Sequence, residues 1–137
     1  MTRISRKDGL IPTRRKALLV AETAQDHKAL NLRILNVTRH CDYADYFFLM
    51  SATSTRHAKG LADAIREAVP GPTPNAEGYT NGEWVLLDLG DVVVHIFYEP
   101  VRSYYCLDKL WGHVPTVTLA ALTGRPKKRA SAARARS

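Results

Sequence analysis

Apolar positions along the chain recur at two different spacings, and the switches between them mark the elements. Over residues 14–28, Leu18, Ala21 and Gln25 share one side of a helix with a weak apolar stripe, opened by Pro12-Thr13 with Thr13 as N-cap. Arg14, Arg15 and Lys16 fill its first turn, where the positive end of the helix dipole disfavours them. Residues 32–37 (LRILNV) predict a strand, residues 42–45 a turn, and residues 46–50 (YFFLM) a central strand, apolar throughout with an aromatic bias. Thr53 and Ser54 are cap candidates for a second helix that carries Ala58, Leu61, Ile65 and Val69 at three- and four-residue spacings. Pro70-Gly71-Pro72 stops that helix, and a loop is expected from there through Pro74 and Gly78 to Gly82. Residues 84–89 and 92–98 predict two strands joined at Gly90-Asp91 as an antiparallel hairpin. Pro100 ends the second, a short helix is expected near residues 104–110, and the ordered chain is expected to stop near Leu119.

The order helix, strand, strand, helix, strand, strand, helix implies an α/β domain in two or three layers around a mixed β-sheet flanked by helices. With 137 residues, 45% of them hydrophobic, the chain holds one such domain. The expected organisation is a basic, disordered tail over 1–13, the domain over 14–119 and a second basic, disordered tail over 120–137, because Ala, Ser, Arg and Lys cannot offset the entropy of ordering. No apolar run approaches the roughly 20 residues of a membrane-spanning helix. The basic start is not followed by the apolar region of a secretory signal; it lacks a clean amphipathic pattern, which leaves a mitochondrial transit peptide over residues 1–16 as the minor alternative. Cys41 and Cys106 have no CxxC spacing, which suggests a reducing compartment and a cytoplasmic protein.

The net charge of +7 divides unevenly. Residues 1–16 carry six basic groups and one acid, residues 124–137 six basic groups and no acid, and residues 17–123 eight basic and twelve acidic groups. An acidic body between basic ends prefers a basic protein surface to bare nucleic acid, although the tails could touch RNA.

Catalytic and metal-binding patterns are weak. His27, His40, His57, His95 and His113 show no zinc-type helical spacing, and the adjacent His40 and Cys41 are poorly placed to share an ion. The serines and cysteines lack a nucleophile-elbow pattern. The strand, Ser51-Ala52-Thr53-Ser54 and helix arrangement is the one feature that could present a helix start to a phosphate, but it has no glycine and no following Lys-Ser/Thr pair. Asp88 and Asp91 straddle a turn and are expected to point differently, as turn and rim acids instead of a metal-binding pair. His95 alternates with Val93 and Phe97 and reads as a satisfied core histidine, in preference to a role at an interface. No cofactor is implied.

The aromatics of the last third have a different character. Trp84, Tyr98, Tyr104, Tyr105 and Trp111 are interleaved with Glu83, Asp88, Asp91, Glu99 and Asp108, and aromatics rimmed by charge are the composition of a protein interface.

Several blocks in this order closely resemble the ribosomal silencing factor (Iojap-like) family: Ala44-Asp45-Tyr46-Phe47, Ser51-Ala52-Thr53-Ser54-Thr55-Arg56, Glu77-Gly78, the run WVLLDLGDVVVH over 84–95, and RSYYCLDKLW over 102–111. The likeness covers roughly residues 17–112. Cys106 stands where the family usually has Asp, Asp108 where it usually has Glu, and Ala52 where a glycine-like small residue is commoner. The tail beyond Gly124 falls outside the family's domain on this reading. The resemblance implies a nucleotidyltransferase-like α/β fold without the catalytic carboxylates, so a binding protein and not an enzyme. It further implies binding to ribosomal protein L-fourteen on the large ribosomal subunit, a block on small-subunit association, translational repression under nutrient limitation, and a homodimer when free. On this basis Trp84 and Tyr105 are the expected anchors, and Glu77, Asp88, Asp91 and Asp108 the expected acidic rim. The rival expectation is a nucleotidyltransferase-like phosphotransfer enzyme using the 51–56 loop and Asp88.

Overall fold

A computed structural model describes residues 12–71, 74–105, 109 and 112–123. Its elements are α1 (Thr13–Asp26), β1 (Leu30–Asn36), β2 (Tyr46–Ala52), α2 (Thr55–Ala68), β3 (Asn75–Glu77), β4 (Trp84–Asp88), β5 (Val92–Tyr98), α3 (Glu99–Tyr105) and α4 (Leu119–Thr123). The strands form one mixed sheet in the order β1-β2-β5-β4-β3. Among the described strands, only the β2–β5 pair is parallel. β2 is an interior strand beside the central β5 and is buried from Phe47 to Ala52, which is why its sequence is apolar without alternation.

The two sheet faces differ in size and cover. Ile34, Phe48, Met50, Val85, Leu87, Val92, Val94 and Ile96 join the larger core cluster with α1, α2 and α4. Leu35, Phe47, Leu49, Val93 and Phe97 form a smaller cluster on the opposite face, with Val37, Ala44 and Val114. α3 folds back over one end of that second face, where buried Arg102 donates from Nη1 to Asn31 O at 2.8 Å and to Ser51 Oγ at 3.0 Å.

α2 follows its pattern closely. Ala58, Leu61, Ala62 and Ile65 are buried, and Ser54 caps the helix by accepting from the His57 N–H at 2.9 Å. α1 departs from expectation, since Lys16, Ala17, Val20, Ala21 and Ala24 are buried while Leu18 is half-buried and Gln25 exposed. Its contact face is a stripe of small residues, which lets the helix approach α2 and α4 closely. Thr13 is inside the helix, and Pro12 takes the cap position.

Three further expectations are corrected. The loop expected from residue 70 to 82 contains β3, whose Asn75-Ala76-Glu77 has no apolar alternation and becomes a strand by pairing with Leu86–Asp88 of β4. Of the helix expected near 104–110, residues 106–108 and 110 lie outside the described residues, and the described α3 begins earlier, directly after β5, with Pro100 in its first turn, where a missing N–H costs nothing. The ordered domain does not close at Leu119, because α4 starts there and buries Leu122 against α1.

Candidate functional site

Strand alternation places Trp84, Leu86 and Asp88 on the second face, while Val85 and Leu87 point to the helices. The register aligns these side chains in rows. Glu77 pairs with Leu86, Leu86 with His95, His95 with Leu49, and Leu49 with Arg33, giving one row across all five strands. Asn75, Asp88, Val93, Phe47 and Leu35 form the next row, and Trp84, Phe97 and Ser51 lie on the other side. At the β3–β4 side the rows end in exposed groups: Glu77 and Asp88 are exposed, Leu86 is half-buried, and Trp84 retains 41% of its surface.

Trp84 is held from within. Its indole N–H donates to His95 Nδ1 at 3.2 Å, and its ring lies 5.0 Å from that of Phe97 at 47°. Phe47 meets His95 edge-on at 5.3 Å, and Phe97 lies nearly parallel to it at 6.1 Å. Because an indole only donates, Nδ1 is the acceptor and Nε2 carries the imidazole proton. That Nε2 is buried and has no hydrogen-bond partner among the described residues. Burial disfavours the charged ring and pushes the His95 pKa down to about 4. The expected satisfied core histidine is therefore half satisfied, and it backs an exposed aromatic.

Asp88 and Asp91 separate as the turn predicted. Asp88 Oδ1 accepts from the Gly90 N–H at 2.9 Å and remains on the aromatic face. Asp91 turns to the helix side, where Lys16 Nζ lies 2.8 Å from Oδ1 and Thr13 donates to Oδ2. Lys16 also donates to Leu89 O at 2.7 Å. Burial raises the Asp91 pKa, but the hydrogen bonds from Lys16 and Thr13 outweigh it and leave the carboxyl below its ordinary value. Asp91 is thus an internal counter-ion rather than a rim acid, and the cation that seemed misplaced at the α1 start is its partner. Tyr105 closes α3, but its side chain lies outside the described residues, as do Asp108 and Trp111.

Sequence reasoning overlooked Tyr43, which is 69% exposed and lies 6.3 Å from the Phe47 ring. That ring contact puts it beside the second face, and desolvation, Cys41 and the charge of Asp88 together raise its hydroxyl pKa. Its signal was an aromatic inside a polar turn, Asp42-Tyr43-Ala44-Asp45.

The 51–56 loop uses its polar groups locally. Ser51 is buried against Arg102, Ser54 caps α2, and the Thr53 N–H donates to His57 Nδ1 at 3.0 Å. His57 Nε2 in turn donates to His27 O at 2.8 Å. His40 and His113 meet edge-to-face at 5.2 Å. Among the described residues, no three His, Cys, Asp or Glu side chains converge as a metal site, and no helix is long and apolar enough to cross a membrane.

Comparison with known proteins gives this face a context. The family described as "Ribosomal silencing factor during starvation" matches residues 11–137. The match runs through the basic segment beyond Gly124, which corrects the expectation that this segment falls outside the family. A ribosomal silencing factor of Halalkalibacterium halodurans is 36% identical over 104 residues, covering 74% of this chain and 89% of that protein. A mouse protein named "Mitochondrial assembly of ribosomal large subunit protein 1" is 30% identical over 101 residues, 69% of this chain and 42% of that protein. A crystal structure from Chromobacterium violaceum superposes with a TM-score of 0.70 at 30% identity, covering 74% of this chain and 88% of that one. The sequence blocks, the five-stranded mixed sheet and these matches agree, and the chain belongs to the ribosomal silencing factor (Iojap-like) family.

Proposed function

We propose that this protein represses translation by occupancy. In this reading it binds the large ribosomal subunit through ribosomal protein L-fourteen, keeps the small subunit from joining and acts in the cytoplasm under nutrient limitation. The observation that carries the reading is the sheet face on which Trp84, Leu86 and Tyr43 lie beside the acids Glu77 and Asp88. An aromatic patch with an acidic rim complements a basic ribosomal protein, and the acidic balance of residues 17–123 favours such a partner over bare RNA. The name of the mouse relative, which ties that protein to large-subunit assembly, supports the choice of subunit.

Trp84 is the anchor in this proposal, with Tyr105 as a second anchor and Asp108 as a further rim acid. Glu77 and Asp88 steer the approach, whereas Asp91 contributes by holding the hairpin turn to α1. The nucleotidyltransferase-like scaffold serves as a binding platform without catalytic carboxylates. The free protein is a homodimer, and its basic ends touch ribosomal RNA once it is bound.

Sucrose-gradient sedimentation of the tagged full chain tests the proposal. Co-migration with free large subunits, together with capture of purified L-fourteen, is the expected result. A tagged protein that stays at the top of the gradient, or that travels with the small subunit, would overturn it.

A further inference from the structure

We propose that His95 is a positioning residue for docking: its Nδ1 holds the Trp84 indole in the orientation in which the ribosomal partner meets it. This rests on the reading of the aromatic face as the docking surface and adds a residue that the partner need not touch.

Trp84 is the first residue of β4 and 41% exposed, so packing alone leaves its ring several orientations. The 3.2 Å bond to His95 Nδ1 selects one of them, and Phe97 at 5.0 Å supports it. His95 is itself fixed, between Phe47 at 5.3 Å and Phe97 at 6.1 Å, and cannot follow a wandering indole.

The second imidazole nitrogen explains why the position matters. With Nδ1 accepting, Nε2 carries hydrogen, and it is buried without an acceptor among the described residues. A buried N–H without a partner is penalised, and a phenyl or isobutyl side chain in the same place would escape that penalty. Packing therefore argues against histidine here. What an apolar replacement cannot supply is the lone pair that holds the indole. A preformed anchor loses less freedom on binding, which slows dissociation in particular. With its N–H already bonded inside the protein, Trp84 offers the partner its ring face and edge, and no acceptor is required of the partner at that point.

The test compares wild type with Trp84→Ala, His95→Phe and His95→Asn, the last placing an oxygen about where Nδ1 stands. Dissociation from immobilised large subunits, urea unfolding and the anisotropy decay of Trp84 fluorescence are measured, with Trp111→Phe as background for the fluorescence. His95→Phe should unfold at the same or higher urea, loosen the indole and dissociate roughly three- to tenfold faster, while His95→Asn stays within about twofold of wild type. If the phenyl ring does not fit and the variant fails to fold, His95→Leu carries the same expectations. Loss of binding in Trp84→Ala alongside wild-type dissociation and anisotropy in His95→Phe would overturn the positioning role and leave the docking face intact. Unchanged binding by Trp84→Ala would overturn the docking face itself. A destabilised His95→Phe that His95→Asn does not rescue would make His95 merely structural and also end the proposal.

Discussion

The Lys16 ammonium lies 2.8 Å from Asp91 Oδ1, with both side chains nearly buried and the two residues 75 positions apart in the chain. The pair fastens the start of α1 to the β4–β5 turn, and Leu89 O takes a second hydrogen bond from the same ammonium. Three basic residues at a helix start look unfavourable on local grounds, and for Lys16 the cost is offset by a partner far along the chain.

Removing one member of this pair should be worse than removing both. Asp91→Ala leaves a buried ammonium with one partner fewer and should cost about 3 kcal/mol in urea unfolding. Lys16→Met combined with Asp91→Ala should recover a substantial part of that loss. A double variant no more stable than Asp91→Ala would show that the pair is not the coupling between these elements.

Acid should destabilise the protein in two steps of the same sign. The unfolded chain protonates His95 near its ordinary 6.5, whereas the fold resists until about 4. The unfolded state therefore binds more protons in that window, and stability falls as pH drops through it, by up to about 3 kcal/mol. Asp91 is depressed from 3.8, so its contribution is present above that value and is lost as pH falls through the lower folded value. Urea midpoints measured from pH 8 to pH 4 should slope in wild type and flatten in His95→Phe. An equally steep slope in that variant would assign the effect to another group.

Gly78 protects the anchor from behind. It has a φ of 76°, and a Cβ added there would meet the backbone oxygen of Trp84 at 2.2 Å. Backbone against backbone cannot yield cheaply, so Gly78→Ala should destabilise by about 1–3 kcal/mol and disturb β3 against β4. Amide exchange should then quicken in residues 75–77 and 84–88. Wild-type exchange there would mean that the loop absorbs the methyl group.

Anchor and rim should separate kinetically in large-subunit binding. Trp84→Ala should weaken affinity by about 2 kcal/mol, chiefly through faster dissociation. Glu77→Lys and Asp88→Lys should act mainly on the association rate and flatten its salt dependence, at roughly 0.2–1 kcal/mol each. Association that stays equally salt-sensitive after both reversals would remove the acids from the encounter.

Deleting residues 124–137 removes six basic groups and no acid. If the segment touches ribosomal RNA, affinity falls and the dependence on salt becomes shallower. An unchanged slope would make the segment a solubilising extension.

Much of the fold was legible because its signals are local. α2 follows from Ala58, Leu61 and Ile65 at helical spacing behind the Ser54 cap, and β5 from an apolar run broken by His95 alone after a Gly-Asp turn. β3 was illegible because a three-residue polar strand exists only through the edge that β4 offers it. α4 was illegible because Leu122 acquires its importance from a core assembled by distant residues. In the candidate site, Trp84, Asp88 and Glu77 could be named from aromatic and acidic composition. Tyr43 carried only the weak signal of an aromatic inside a polar turn, and the hydrogen bond that makes His95 relevant depends on β4 lying beside β5.

By itself the sequence determined the class of fold, the family, the antiparallel hairpin and the opposite directions of Asp88 and Asp91, all consequences of side-chain periodicity or of residues close together in the chain. Tertiary structure alone decided that Glu77, Leu86 and His95 form one row, that Asp91 is neutralised by Lys16, and that Trp84 leans on His95. The difference is physical. Strand order and register bring together groups tens of residues apart, and the burial that changes a carboxylate or an imidazole is a property of the whole sheet, which no single segment encodes.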